Sequence, residues 1–296
     1  MKAANTVSVL ALILGLVGGS LASPVLAAMD DSVPAAIYAD PAHDSQFPAT
    51  VVVLHIPSHG SAINGLDYGP SGRGPHGVLV LCHGLPGNEK NLDLAQAVRR
   101  AGWVAVTFNY RGSWGSPGRF SFRGNLDDAA AVLTYLRQPG NAQKLRGDPK
   151  RIALMGHSMG GWVAAQTGAA DREVIGTLLI SAWDPTVRTT HKALVADMAD
   201  DMETLAGVTP ESMALQVEAL PKSLGLSQAA AGLKEKPLLV LTADDGLQPA
   251  GEALIQAIKA QGGNQASISH VATDHSWSDR RIDLETRTIL WLQALH

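Results

Sequence analysis

The stretch Arg151-Ile152-Ala153-Leu154-Met155-Gly156-His157-Ser158-Met159-Gly160-Gly161 (RIALMGHSMGG) decides how this chain is read. Arg151 to Met155 predicts a short buried strand, and the small-residue run from Met159 to Ala169 predicts a helix. Between them sits G-x-S-x-G, in the order strand, sharp turn, helix. Gly and Ser are common enough for the five-residue pattern to arise as an incidental turn, so the flanking elements give it its meaning. Such a turn strains the serine backbone and demands small neighbours. It lifts the Ser158 hydroxyl clear of the sheet, where the positive end of the following helix favours developing negative charge.

Outward from this stretch, strands and helices alternate. Strands are expected at Thr50–Ile56, Gly77–Leu81, Trp103–Phe108, Val174–Ser181, Pro237–Thr242 and Gln265–His270, with a short hairpin strand near Leu66–Tyr68. Helices are expected at Leu92–Ala101, Asn125–Leu136, Ala250–Gln261 and Arg281–Leu295. This alternation implies βαβ units and a mostly parallel sheet covered on both faces. Pro185 to Lys236 breaks the rhythm with helical spacing at Leu194, Val195, Met198 and Met202, and again from Met213 to Leu220. It reads either as extra core helices or, the reading preferred, as a helical cap at about 185–236 over the mouth of a site.

A serine hydroxyl needs a base, and the base an orienting carboxylate. Both follow Ser158 in the order acid, then histidine. Asp244-Asp245-Gly246-Leu247-Gln248-Pro249 ends one strand, and Thr273-Asp274-His275-Ser276-Trp277 follows another. Asp244 and Asp245 compete for the orienting role; the D-x-x-x-P spacing to Pro249 favours Asp245. Asp274 reads as a loop cap. Among the nine other histidines, His157 and His83 read as parts of local loop structure. His83-Gly84-Leu85-Pro86-Gly87 ends another strand, and the Leu85 and Met159 backbone N–H groups are candidate oxyanion donors. Cys82 reads as a small buried hydrophobe. In Asn109-Tyr110-Arg111-Gly112-Ser113-Trp114 the favoured reading is structural turns, with Arg111 hydrogen-bonded at a sheet end; the other places Trp114 near substrate.

From about Gly77 to Leu295 the chain resembles the α/β-hydrolase superfamily, through HGLPG, NYRGSWGSPG, GHSMGG, DDGLQP and TDHSW. Its texture is similar to the prolyl-oligopeptidase-like and dienelactone-hydrolase-like branches. The resemblance implies the α/β-hydrolase fold, with an eight-stranded, mainly parallel sheet and helices on both faces. It implies Ser158 as nucleophile, His275 as general base and then acid, and Asp245 as orienting acid. Ala243 departs from the pattern, which commonly has Gly before the acid pair.

Composition narrows the functions. With 46% apolar and 17% charged residues among 296, the chain is not of the disordered class. A formal charge of −4 offers no basic field for nucleic acid. One cysteine supplies neither a disulfide nor a cysteine-based zinc cluster, and no metal or organic cofactor is expected. Lys2, the apolar run Val7–Val17, the breakers Gly18, Gly19 and Pro24, and small residues to Ala28 follow the order of a signal peptide over 1–27. An irregular lead-in is then expected over 28–48 and the hydrolase domain over 49–296. The expected protein is exported, to the periplasm or outside the cell, without stable membrane insertion once the signal is cut. The leading expectation is a serine hydrolase of carboxylic esters acting through an acyl-enzyme on a small molecule. The alternatives are a peptidase or amidase acting on a short peptide, and a non-catalytic binding protein on the same fold.

Overall fold

The computed structural model describes residues 33–187 and 189–295. The signal-peptide reading of residues 1–27 lies outside the described residues. From Val33 the chain makes one 3-10 turn at Ala35–Ile37, whose Ala36 carbonyl accepts from Arg100 Nε at 2.6 Å.

The strands are β1 (Thr50–Ser58), β2 (Ser61–Gly69), β3 (His76–Cys82), β4 (Val104–Phe108), β5 (Gly147–His157), β6 (Val174–Ile180), β7 (Leu238–Thr242) and β8 (Ala266–His270). They form one eight-stranded sheet in the order β1-β2-β4-β3-β5-β6-β7-β8. β1 pairs antiparallel with β2, and β2 with β4. Every pairing from β4 through β3 to β8 is parallel.

The helices are α1 (Leu92–Arg100), α2 (Phe122–Arg137), α3 (Pro139–Leu145), α4 (Met159–Ala170), α5 (His191–Ala199), α6 (Pro210–Glu218), α7 (Ala230–Leu233), α8 (Gln248–Ala260) and α9 (Arg281–Gln293). Period-2 alternation on the buried strands sorts side chains between two cores. Val78 and Val80 of β3 face the core built with Val132, Leu133, Trp162 and Leu254 of α2, α4 and α8. Leu79 and Leu81 face the opposite core, built with Leu94 and Val98 of α1 and with Leu284 and Leu292 of α9. Fully burying each such aliphatic side chain stabilises by about 1.5–3 kcal/mol. The central strands therefore read as continuous apolar runs.

Several elements differ from the sequence reading: β1 runs on to Ser58, α2 begins at Phe122 and α8 at Gln248. β2 covers nine residues from Ser61, where only Leu66–Tyr68 was expected. Its Gly65 lies against the Thr107 carbonyl of β4 so closely that a Cβ would clash, so this glycine serves close strand approach, not a turn. β5 begins at Gly147, not Arg151, and α3 occupies a stretch for which the sequence reading names no element. Among the described residues no helix is long and apolar enough to cross a membrane.

Candidate active site

Ser158 sits between the last residue of β5 and the first of α4, with φ 56° and ψ −121°. A non-glycine residue in this region costs on the order of 1–3 kcal/mol and persists only when its surroundings over-determine it. Here they do. The Ser158 N–H donates to the Ile180 carbonyl at 2.9 Å, and its own carbonyl accepts from the N–H groups of Gly161 (2.9 Å) and Trp183 (3.0 Å). A Cβ on Gly156 would run into the Gly160 carbonyl, and one on Gly160 into that of Cys82. The two flanking glycines thus permit the crossing of strand and helix. The result leaves Ser158 partly exposed at the N-terminus of a 12-residue helix whose first residues are buried.

His275 follows β8 and Asp245 follows β7. His275 Nδ1 lies 2.9 Å from Asp245 Oδ2; a carboxylate only accepts, so Nδ1 carries the hydrogen. Burial pushes the Asp245 carboxyl up. Hydrogen bonds from His275, the Leu247 N–H (2.9 Å) and the Ser181 hydroxyl outweigh that and hold it at about 2. Asp244 points elsewhere, to His270 Nε2 at 3.1 Å. Asp274 accepts from the Ser278 N–H at 2.8 Å, as a loop cap does. Ser158 and His275 line one cleft of about 190 Å³ with Gly84, Leu85 and Pro86. Neither the Leu85 nor the Met159 N–H donates a hydrogen bond among the described residues.

The loop after β3 is braced from behind. The Tyr110 hydroxyl donates to the His83 carbonyl at 3.2 Å, and Trp114 Nε1–H to the Pro86 carbonyl at 2.7 Å. The Lys90 ammonium lies 4.0 Å over the Trp114 ring. Trp114 therefore supports the loop that carries Leu85. Arg111 Nε donates to Asp128 at 2.6 Å, tying its turn to α2 in the structural role favoured from sequence. Cys82 is buried, and burial pushes its thiol up to about 12, which removes it as a nucleophile.

Two contributors escaped the sequence reading. Ser181, buried at the end of β6, receives the Trp277 indole N–H at 3.4 Å and donates to Asp245. His157, assigned to local loop structure, has Nε2 2.8 Å from the His275 carbonyl, 118 positions away. Spacing along the chain carries no signal for either contact.

Between β6 and β7 the chain divides. α5 supplies Leu194 and Met198 to a second cavity of about 220 Å³, shared with Ser158, Leu85, Met159 and Trp183. Leu194 and Met198 also pack into the core that α4 and α8 share, and beyond α6 Leu226, Ala229, Ala230 and Leu233 pack into it without lining that cavity. A wider cavity of about 590 Å³, between α2 and α4, contains neither Ser158 nor His275, so size alone does not mark the site.

A strained serine at the end of a central parallel strand, in one cleft with a carboxylate-bound histidine, places the chain in the hydrolase class of α/β proteins. The alpha/beta hydrolase family model matches residues 79–283, and the chain belongs to that family. An uncharacterized protein of Mycobacterium tuberculosis is 31% identical over 125 residues, 42% of this chain and 43% of the relative. A carboxylesterase of the same species is 34% identical over 116 residues, 37% of this chain and 34% of the relative. The alignments thus span less than half the length of these curated relatives. Among solved structures, a carboxylesterase cloned from a metagenomic library has a TM-score of 0.61 at 24% identity, covering 85% of this chain and 91% of its own. An esterase of Pyrobaculum calidifontis has a TM-score of 0.62 at 22% identity, over 85% and 88%. At these identities the structural likeness establishes the fold.

Proposed function

We propose that this protein hydrolyses carboxylic esters through an acyl-enzyme formed on Ser158. His275 Nε2 takes the Ser158 proton as the hydroxyl attacks the ester carbonyl, then gives it to the departing alcohol. Asp245 keeps the proton on Nδ1, so that Nε2 presents its lone pair, and stabilises the imidazolium that forms. The N–H groups of Leu85 and Met159 receive the oxyanion, with the N-terminus of α4 adding a favourable field. Water then attacks the acyl group with His275 again as base, releasing the acid and restoring Ser158.

The observation that carries this reading is the 2.9 Å bond from His275 to Asp245 beside a cleft that His275 shares with strained Ser158. Two relatives over about a third of this chain, a carboxylesterase of M. tuberculosis and a lysophosphatidylserine lipase of Danio rerio, support ester chemistry. The test is labelling by a fluorophosphonate probe together with turnover of p-nitrophenyl esters. Wild type should label and turn over, and Ser158→Ala should do neither; equal labelling of both proteins would refute the reading. The export reading of residues 1–27 stands beside it as a proposal, checked by N-terminal sequencing of the exported protein, where an intact Met1 would overturn it.

A further inference from the structure

His157 is buried, at 4% exposure, between the elbow and the histidine loop. Its Nε2 meets the His275 carbonyl oxygen at 2.8 Å. A carbonyl only accepts, so Nε2 carries the hydrogen. Its Nδ1 is buried with no partner among the described residues. The two imidazole rings are 4.7 Å apart at a tilt of 43°. The wall opposite is tight: a Cβ on Gly84 would lie 3.1 Å from the Ser158 Cβ and 3.6 Å from His157 Nδ1. The ring therefore has one hydrogen-bonding orientation, and the residue it grips is the partner of Asp245.

We propose that His157 is a positioning residue for His275, holding the histidine loop against the nucleophile turn through its Nε2–H and its ring face. The proposal rests on the reading of His275 as the base. Covalently adjacent to Ser158 and bonded to the His275 carbonyl, His157 ties the backbones of the two reacting residues together, so that movement of the loop after β8 is resisted beside the side chains that must meet. A positional error of about 1 Å can cost about 100-fold in rate.

The role requires an uncharged ring. A proton added to Nδ1 would be buried without an acceptor and would place a cation against His275. Burial first, then the neighbouring His275 and Arg281, push the imidazole down to about 4, against the opposing influence of the His275 carbonyl bond and Asp245. His157 therefore stays neutral throughout the range in which a histidine base works.

Two variants and one measurement on the wild type test this. His157→Leu fills similar space without a donor, and should lower kcat on p-nitrophenyl acetate by about 10- to 100-fold with KM changed less than about threefold. His157→Gln places an amide N–H at the same reach and should recover to within about fivefold of wild type. A purely space-filling residue would give equal kcat in Leu and Gln variants, and that result overturns the proposal. Should neither variant fold, nitrogen NMR of the wild type decides: the Nε2–H tautomer of His157 at pH 7 supports the proposal, and Nδ1–H overturns it. The outcomes separate from the catalytic reading, because failure of that reading shows as Ser158→Ala retaining label or turnover. Wild-type turnover lost in Ser158→Ala but unchanged in His157→Leu would remove only the positioning role.

Discussion

His275 Nδ1 and Asp245 Oδ2 lie 2.9 Å apart across 30 positions of sequence, while the adjacent Asp244 faces His270 and takes no part in that bond. The pair spans the loops after two neighbouring strands, β7 and β8, so the parallel register of the sheet sets its geometry.

The two acids should therefore respond differently to the same change. Asp245→Asn retains shape but lets the amide donate to Nδ1, which turns the imidazole to the wrong tautomer. The expected loss in kcat is about 10⁴-fold. Asp244→Asn should stay within about threefold, since its bond to His270 is exposed and worth little. The carboxyl of Asp245 is held at about 2 in the fold, below its ordinary 3.8. The ionised form thus stabilises the fold above about pH 4, and that contribution is lost as pH falls through about 2. Urea unfolding of wild type and Asp245→Asn should show a stability gap at pH 5 that narrows toward pH 2.

Ser181 gives a subtler prediction. Its hydroxyl is one of three donors that hold the Asp245 carboxylate, and it also satisfies the buried Trp277 indole. Ser181→Ala removes one donor to a carboxylate and leaves an indole N–H unpaired. Such losses cost about 1–3 kcal/mol. Thermal unfolding should report that loss, with kcat falling about 3- to 10-fold at unchanged KM.

Away from the site, Asp67 in β2 is a stability liability at neutral pH. It is 1% exposed and its Oδ1 has no partner among the described residues. Burial raises the carboxyl to about 7, against the partial opposition of Arg146 and Lys144. Between about pH 4 and pH 7 the unfolded chain has released this proton and the folded chain still holds it, so stability falls as pH rises through that window and levels off above it. Asp67→Asn removes the cost. Its melting temperature should exceed that of wild type at pH 8, by an amount set by a few kcal/mol, and the advantage should vanish near pH 4. An equal gain at both pH values would show that charge is not the cause.

The elements legible in the sequence are those whose burial is two-sided. β3, β4 and β5 carry continuous apolar runs because both faces meet helices, and GHSMGG is readable because the crossing of strand and helix demands glycine at 156 and 160, on either side of Ser158. Ser158 and His275 line one cleft, and Asp245 is bonded to His275. What was illegible depends on contacts between distant segments. Asn64 and Gly65 look like turn residues until Gly65 is seen pressed against Thr107 of β4. α3 carries no clear apolar period and opens on Pro139, whose missing N–H costs nothing at a first helical position. His157 and Ser181 act on partners fixed only by the assembled sheet.

The segment between β6 and β7 leads to the last prediction. Met198 and Leu194 are buried side chains of α5 and line the 220 Å³ cavity that also holds Ser158. The lining is mixed, with Leu194, Met198, Met159 and Trp183 beside Asp197 and Asp201; a methionine in its apolar part follows the shape of what it packs against, and its replacement changes volume more than chemistry. If the acyl chain of an ester enters there, Met198→Trp shortens the space, while an acetyl group still fits beside Ser158. Each methylene seated in an apolar pocket is worth about 1–3 kcal/mol of discrimination. The variant should therefore keep kcat/KM for p-nitrophenyl acetate within about threefold and lose at least about tenfold on the hexanoate. Met198→Ala should move the preference toward longer chains, with a stability cost of about 2–5 kcal/mol from the cavity it leaves. A chain-length profile that stays flat in both variants would assign Met198 to packing α5 onto the body of the protein and leave the acyl group to the cleft beside Leu85 and Pro86.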